Sequence, residues 1–287
     1  MKPRSIRPEH PVDPVTVDIL RAVAEEAQAD NIDYMLVGAT ARDILLTHVL
    51  GLAPTRATRD VDFAVAVKDW SQFAALRTRL VARGSFEEAG ILQQRLYYKG
   101  EKGDLEYQLD LVPFGGVSQG TSEIAWPPDM KIIMNVAGYD DVLAAAELVT
   151  FAPGFDGKVV SLAGLAILKL VAWSDRGREN PRDAYDLVHL IDNYTAAGNQ
   201  DRVYGEDGVI EEGEYDPELA GVFLLGRDMQ RMASMQTPAV LQKIIGHDFD
   251  RLAIDMTRSV RHLEDAEQRV QSRLRLLQRA LASIEVA

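Results

Sequence analysis

Alternating apolar and polar positions mark the strands of this chain, and the clearest run is Asp60 to Val67. Val61, Phe63, Val65 and Val67 recur at every second position, with Asp60, Asp62, Ala64 and Ala66 between them. Side chains alternate along a strand, so the apolar set faces a core while both aspartates share the opposite face. The stretch Leu105 to Val112 reads the same way. Leu105, Tyr107, Leu109 and Leu111 form its apolar side, and Glu106, Gln108 and Asp110 lie opposite. It pairs as a hairpin with Leu92 to Tyr98, turning at Lys99-Gly100-Glu101-Lys102-Gly103. Asp33 to Val37 is a shorter strand that ends at Gly38, and Lys131 to Val136 is a further one.

The helical pattern begins at Val15 to Ala29, where Ile19, Leu20, Val23 and Ala27 make one apolar side. Gly38-Ala39-Thr40-Ala41-Arg42-Asp43 leads into the apolar helical run Ile44-Leu45-Leu46, and a helix is expected over Trp70 to Arg83. A short helix over Asp140 to Leu148 completes a mixed α/β domain ending near Pro153-Gly154. From Val159 onwards strands disappear. Ser161 caps a helix that is apolar almost all round as far as Trp173, the pattern of a buried helix. Asn180-Pro181-Arg182-Asp183 has the marks of a helix start: asparagine as cap, proline first and an acid in the first turn. Residues 205–218 hold seven acids and no basic residue, and read as an exposed loop. Helices follow over Glu218 to Met232, over Pro238 to Ile245, and from Phe249 nearly to the end. The expected class is α+β: a mixed-sheet domain over 1–155, then an all-helical domain over 156–287.

Composition narrows the chemistry. With 47% hydrophobic and 26% charged residues the chain reads as an ordinary globular protein, and no apolar run reaches membrane-span length. A cytoplasmic location is expected. The absence of cysteine removes disulfides, thiolate metal sites and cysteine catalysis. The net charge of −13 argues against general DNA or RNA binding, which needs Lys and Arg along the phosphates. One local basic stretch exists: Arg258, Arg261, Arg269, Arg273, Arg275 and Arg279, interleaved with Glu264, Asp265 and Glu267. It reads either as an RNA contact or as a salt-bridged helix face. The five histidines lack ligand spacing.

Candidate chemistry therefore rests on aspartates. If the two alternating strands are neighbours, Asp60, Asp62 and Asp110 converge on one patch. Three close anions repel unless cations sit among them, and oxygen ligands of this kind suit Mg²⁺. Two such ions can clamp the attacking and leaving oxygens of an in-line phosphoryl displacement. Upstream, the turn at Gly38 leaves backbone N–H groups that can hold a phosphate, with Thr40 offering a hydroxyl and Arg42 a guanidinium for phosphate or base. Lys169 lies midway along the most apolar helix and must meet an anion or escape to the surface. Asp183 and Asp186 share a helix face, although an acid at Asp183 is also favoured simply by its place in the first turn.

The glycine turn, the D-x-D strand and the later lone aspartate together resemble the polymerase β-like nucleotidyltransferase fold. Leu36-Val37-Gly38-Ala39-Thr40-Ala41-Arg42-Asp43, with Thr58-Arg59-Asp60-Val61-Asp62-Phe63-Ala64, resembles the G-G-x-x-R-D … D-x-D-F-A pattern of CCA-adding enzymes. A closer resemblance is to the AbiEii/AbiGii toxin-like nucleotidyltransferases of bacterial toxin–antitoxin and phage-abortive systems. It extends to Ser161–Leu170, similar to that family's lysine helix, and to Arg182-Asp183-Ala184-Tyr185-Asp186-Leu187, similar to its K-D-x-x-D-L motif. Members usually have Gly-Ser where this chain has Gly38-Ala39, and Lys where it has Arg182.

The resemblance implies a nucleotidyltransferase that uses an NTP and Mg²⁺, with two ions held by Asp60, Asp62 and Asp110. It implies nucleotide contacts from Gly38, Ala39, Thr40, Arg42, Lys169 and Asp183, with Lys169 gripping the triphosphate. The acceptor would be RNA, such as a tRNA 3′ end, or a protein, and a separately encoded antitoxin would be the partner. Two other classes stay open: a small-molecule enzyme modifying an antibiotic, to which an acidic surface suits, and a non-catalytic nucleotide-binding module, to which Ala39 points.

Overall fold

The computed structural model describes residues 2–53, 59–90, 92–99, 106–234 and 236–282. The proposed turn at residues 99–103 lies mostly outside these, as do Thr58 and Leu105. By contacts the chain divides into two compact units, Met1–Pro127 with Leu143–Ser161, and Pro128–Val142 with Leu162–Ala287.

The first unit is built on an eight-stranded mixed sheet in the order β1-β9-β10-β2-β3-β6-β5-β4. Its elements run β1 (Arg4–Ser5), α1 (Pro14–Ala29), β2 (Asp33–Val37), α2 (Gly38–Asp43, widening into a π-type turn over Ile44–Val49) and β3 (Asp60–Val67). Next come α3 (Trp70–Ala82), β4 (Phe86–Glu88), β5 (Arg95–Lys99), β6 (Glu106–Gly115) and β7 (Glu123–Trp126). After β8 (Ile132–Asn135) and α4 (Tyr139–Ala144) the chain returns to the sheet as β9 (Glu147–Ala152) and β10 (Phe155–Val159). Alternation in β3 is real: Val61, Phe63, Val65 and Val67 are all buried, while Asp60 is exposed and Asp62 half-buried. β2 runs antiparallel to β3 with Val37 opposite Asp62, and Tyr34 meets Phe63 with ring centroids 5.9 Å apart.

α1 forms where Asp13 caps it by accepting from Val15 N–H at 3.1 Å and Pro14 opens its first turn. The other carboxylate oxygen of Asp13 accepts from the Tyr107 hydroxyl, so the start of α1 is tied to β6. α1 and α3 are joined by ion pairs of Arg83 with Glu25 and Glu26, each 2.9 Å, and of Arg79 with Asp30 at 3.2 Å.

Two expectations fail here. The helix over Asp140 to Leu148 stops at Ala144, and Glu147–Ala152 is instead β9. Pro153-Gly154 is not the end of the α/β domain but the turn of the antiparallel β9–β10 hairpin, with Gly154 at φ +73°. The sheet runs on to Val159, beside β2.

The second unit's later elements are helical: α5 (Leu162–Arg176), α6 (Arg182–Asn193), α7 (Gln200–Gly205), α8 (Val209–Glu212), α9 (Pro217–Met232), α10 (Thr237–His247), α11 (Phe249–Ser259) and α12 (Ala266–Ala282). Asn180 accepts Arg182 N–H at 3.1 Å at the start of α6. The acidic stretch 205–218 is not a plain loop. It holds α8, anchored by the fully buried Val209, and Gly213, where a Cβ would fall 2.3 Å from Ala220 N on α9. Nor is the last helix continuous. It breaks between α11 and α12, where Thr257 and Ser259 hydroxyls bond back to the carbonyls of Ala253 and Met256, each 2.7 Å, and Asp265 takes φ +51°. Four arginines of the basic stretch are engaged by carboxylates: Arg258 by Asp255, Arg269 by Asp192, Arg273 by Asp192 and Glu218, and Arg279 by Glu212. That is the salt-bridged face. Among the described residues no helix is long and apolar enough to cross a membrane.

Candidate active site

β3 and β6 run parallel, and their register sets Asp62 beside Asp110 and Asp60 beside Gln108. Laterally paired residues of a sheet point the same way, so the strand alternation and this register put all three aspartates on one face. β5 extends the row from the other side of β6, antiparallel, with Arg95 opposite Asp110 and Tyr97 opposite Gln108. The face thus reads Asp62, Asp110, Arg95 in one row and Asp60, Gln108, Tyr97 in the next.

Arg95 takes both oxygens of Asp110 in a fork, Nε to Oδ1 and an η nitrogen to Oδ2, each 2.8 Å. A planar guanidinium matches a carboxylate in this way and holds its orientation. Both side chains are partly buried, at 27% and 20% exposure. Asp110 first, and Tyr97 in smaller measure, hold the Arg95 pKa above its ordinary value, against a burial effect that works the other way.

Gly38 shows why the turn before α2 needs glycine. It has φ +73°, and a Cβ there would lie 2.1 Å from Asp62 Oδ2. The Asp62 carboxylate therefore packs directly on the backbone of the turn. Thr40 does not present its hydroxyl outward. It is buried, and the hydroxyl donates to the Asp60 carbonyl at 2.6 Å, pinning α2 to the start of β3. Arg42 is also buried, and its guanidinium donates to Asp43 Oδ1 from Nε at 2.9 Å and from an η nitrogen at 2.7 Å. Ala39 is half-buried beside them.

Asp60 and Asp62 supply hard oxygen donors of the kind a divalent cation such as Mg²⁺ takes. The expected second ion calls on Asp110, which is already forked by Arg95. Among the described residues no group of three or more His, Cys, Asp or Glu stands ready to hold a metal ion.

Lys169, Asp183 and Asp186 form a separate cluster inside the helical unit. Lys169 and Arg176 lie seven residues apart on α5, two turns on one face, and both reach α6. Lys169 Nζ meets Asp183 Oδ1 at 2.9 Å and Asp186 Oδ2 at 2.6 Å, while Arg176 Nε donates to Asp183 Oδ2 at 2.9 Å. Asp183 is 2% exposed. Burial alone would push the Lys169 ammonium down, but the two carboxylates prevail and its pKa is raised. For Asp183 burial pushes up, and Lys169 with Arg176 prevail, so its pKa is lowered. Arg182 is exposed at the head of α6.

Sequence reasoning passed over Arg95 and Tyr97, and read Asp175-Arg176-Gly177-Arg178 as a charged loop between two helices, solvated or touching substrate, whereas α5 runs on to Arg176. Arg176 carried a signal in its seven-residue spacing from Lys169. Arg95 carried one only through the hairpin register, which the sequence left loose.

No curated protein matches the chain. Among solved structures, an antigenic nucleotidyltransferase-like protein from Paracoccidioides brasiliensis is 18% identical, over 61% of this chain and 74% of that one, with a TM-score of 0.41. A CCA-adding enzyme in complex with ATP is 14% identical over 91% and 67%, at a TM-score of 0.32. The Thermotoga maritima CCA-adding enzyme complexed with tRNA is 12% identical over 91% and 67%, at 0.31. Residues 18–275 match the family described as "Nucleotidyl transferase AbiEii toxin, Type IV TA system", a span from within α1 into α12 that takes in both aspartate strands and the Lys169 cluster. Matched over that length, the chain belongs to the AbiEii family of nucleotidyltransferases.

Proposed function

We propose that this nucleotidyltransferase moves an NMP from an NTP to an acceptor hydroxyl, on RNA such as a tRNA 3′ end or on a protein, and releases pyrophosphate. The observation that carries the reading is the register-fixed row of Asp62 and Asp110, flanked by Asp60 and packed on the Gly38 turn. Asp60 and Asp62 would hold Mg²⁺, which when bound neutralises the charge that develops on the reacting phosphate. Asp110, kept in one orientation by Arg95, accepts the proton of the attacking hydroxyl on a carboxylate oxygen. Gly38 and Ala39 offer backbone N–H groups to phosphate oxygens. Thr40 ties the turn to the Asp60 carbonyl, and Arg42 donates to Asp43. In the cell the protein acts as the toxin of a toxin–antitoxin pair, with a separately encoded antitoxin.

The first test is thermal unfolding with each of the four NTPs, with and without Mg²⁺. A nucleotide at 100 times its dissociation constant adds about 2.7 kcal/mol of stability. No shift with any NTP at millimolar concentration would remove the reading. Labelled NTPs incubated with total RNA and total protein then identify the acceptor, and growth arrest on expression, lost in Asp62→Asn, tests the toxin role.

A further inference from the structure

A cavity of about 320 Å³ opens in the helical unit, where α12 faces the elbow that joins α8 to α9. Its size is near the lower end of what small-molecule sites show. α12 lines it with Arg275, Leu276 and Arg279, and the elbow side with Glu212, Glu214 and Leu219. Three of the four arginines of α12 are taken by carboxylates: Arg269 by Asp192, Arg273 by Asp192 and Glu218, and Arg279 by Glu212. Arg275 is exposed and, among the described residues, meets no carboxylate. Glu214, also exposed, meets no cation among them. The two thus line one cavity with opposite charges and do not touch each other. Backbone bonds hold the elbow. Glu214 and Tyr215 N–H donate to the carbonyls of Glu211 and Ile210, each 2.9 Å, and both residues take left-handed backbone, at φ +56° and +63°.

The charged side chains of the lining, Glu212, Glu214, Arg275 and Arg279, sum to zero. Such a cavity suits a ligand that has no net charge but carries one end of each sign. A carboxylate alone would have Glu214 against it, and an ammonium alone would have Arg275 against it. Leu276 is buried and Leu219 half-buried, and they add an apolar surface to the same lining. From this lining we infer that the cavity binds a free amino acid with an apolar side chain, its carboxylate on Arg275, its ammonium on Glu214 and its side chain on the two leucines. A guanidinium can take a carboxylate in a fork, which makes that end of the site selective. The site is separate from the transfer chemistry proposed above and does not depend on it.

The test is isothermal titration of the full chain with leucine, isoleucine, valine, methionine and phenylalanine in turn. At least one should bind with a dissociation constant of about 1 mM or tighter. Two probes then divide leucine into its ends: isocaproate, which lacks the ammonium, and isoamylamine, which lacks the carboxylate. Each should bind at least about tenfold more weakly than leucine. Arg275→Met and Glu214→Gln each remove one charge from an exposed side chain, so both variants should unfold at temperatures near that of wild type. Each should nonetheless lose about tenfold or more in affinity for the amino acid that binds best.

No heat of binding from any of the five at about 10 mM would overturn the inference. So would an affinity that is the same in wild type and in both variants, because the ligand would then lie elsewhere. A loss in only one variant overturns recognition of both ends, as does a half-ligand that binds as well as leucine. The dipeptide leucyl-leucine separates a free amino acid from a peptide: if it binds more tightly than any of the five, the occupant is a peptide and the inference falls. Should either variant fail to fold, the half-ligands on wild type decide alone, by the same two outcomes.

Discussion

The cluster in the helical unit sets Lys169 and Arg176 against Asp183 and Asp186, two cations against two carboxylates. The rows on the sheet face set one cation, Arg95, against Asp60, Asp62 and Asp110. The residue types are the same, yet the buried group pairs cation with carboxylate one for one, while the two rows hold three carboxylates and one guanidinium. Burial follows the balance. Asp183 is 2% exposed, whereas Asp60 is on the surface and Asp62 half-buried. Burying a charge is tolerable only with a partner, and Asp183 has two, Lys169 and Arg176.

The comparison is broken most directly by removing one charge from each group. Lys169→Met leaves Asp183 and Asp186 without their shared cation and should cost about 3–5 kcal/mol, measured by urea unfolding. Asp62→Asn relieves repulsion, should leave stability within about 1 kcal/mol of wild type, and should reduce nucleotidyl transfer to background. Equal losses of stability in the two variants would erase the distinction.

The same contrast can be read by pH. Asp183 has a lowered pKa, so its contribution is present above the ordinary value of 3.8 and is lost as pH falls through its folded value. Lys169 has a raised pKa, so its contribution is present below 10.5 and is lost as pH rises through its folded value. Denaturant midpoints should therefore fall in strong acid and in strong alkali, and Lys169→Met should flatten the alkaline limb.

At the sheet face, Gly38→Ala tests how closely the turn and Asp62 are packed. The new Cβ meets Asp62 Oδ2 at 2.1 Å in a backbone with φ +73°, a cost of about 2–4 kcal/mol in thermal unfolding. Thr40→Val should cost less, about 1 kcal/mol, because it loses only the bond to the Asp60 carbonyl. A larger loss of transfer than of stability in Thr40→Val would show that this bond sets the position of Asp60.

How far this could be read from the sequence depended on distance along the chain. β3 was legible because alternation is local, and the shared face of Asp60 and Asp62 followed from it. α1 was legible by the spacing of Ile19, Leu20, Val23 and Ala27, while the cap of α9, Asp216 accepting from Glu218 and Leu219 N–H, lay hidden in the acidic stretch. β9 was not, because Ala144-Ala145-Ala146 carries helical propensity straight into Glu147 and hides the change of period. β10 holds Gly157, which weakens a strand signal but here lets Phe151 lie 2.9 Å from where a Cβ would be. Val209 was masked by the acids around it. The Arg95 fork needed the β5–β6 register, which is a tertiary fact, and the Lys169–Asp183 pair needed the docking of α5 on α6.

The strand order has a consequence for the timing of synthesis. β2 lies inside the finished sheet, between β3 and β10, although β10 begins 122 residues after β2 starts. β9, in turn, is the partner of β1 near the start of the chain, with Arg4 beside Val149. Until residue 159 has left the ribosome, β2 is an open edge with unsatisfied backbone groups, and the turn at Gly38 hangs from it. A growing chain can thus hold every aspartate of the D-x-D strand and its neighbour and still lack the sheet that fixes them. Competence arrives late in translation, after the last strand closes, which gives any newly made molecule an interval in which a holdase or a binding partner could meet it before it can act.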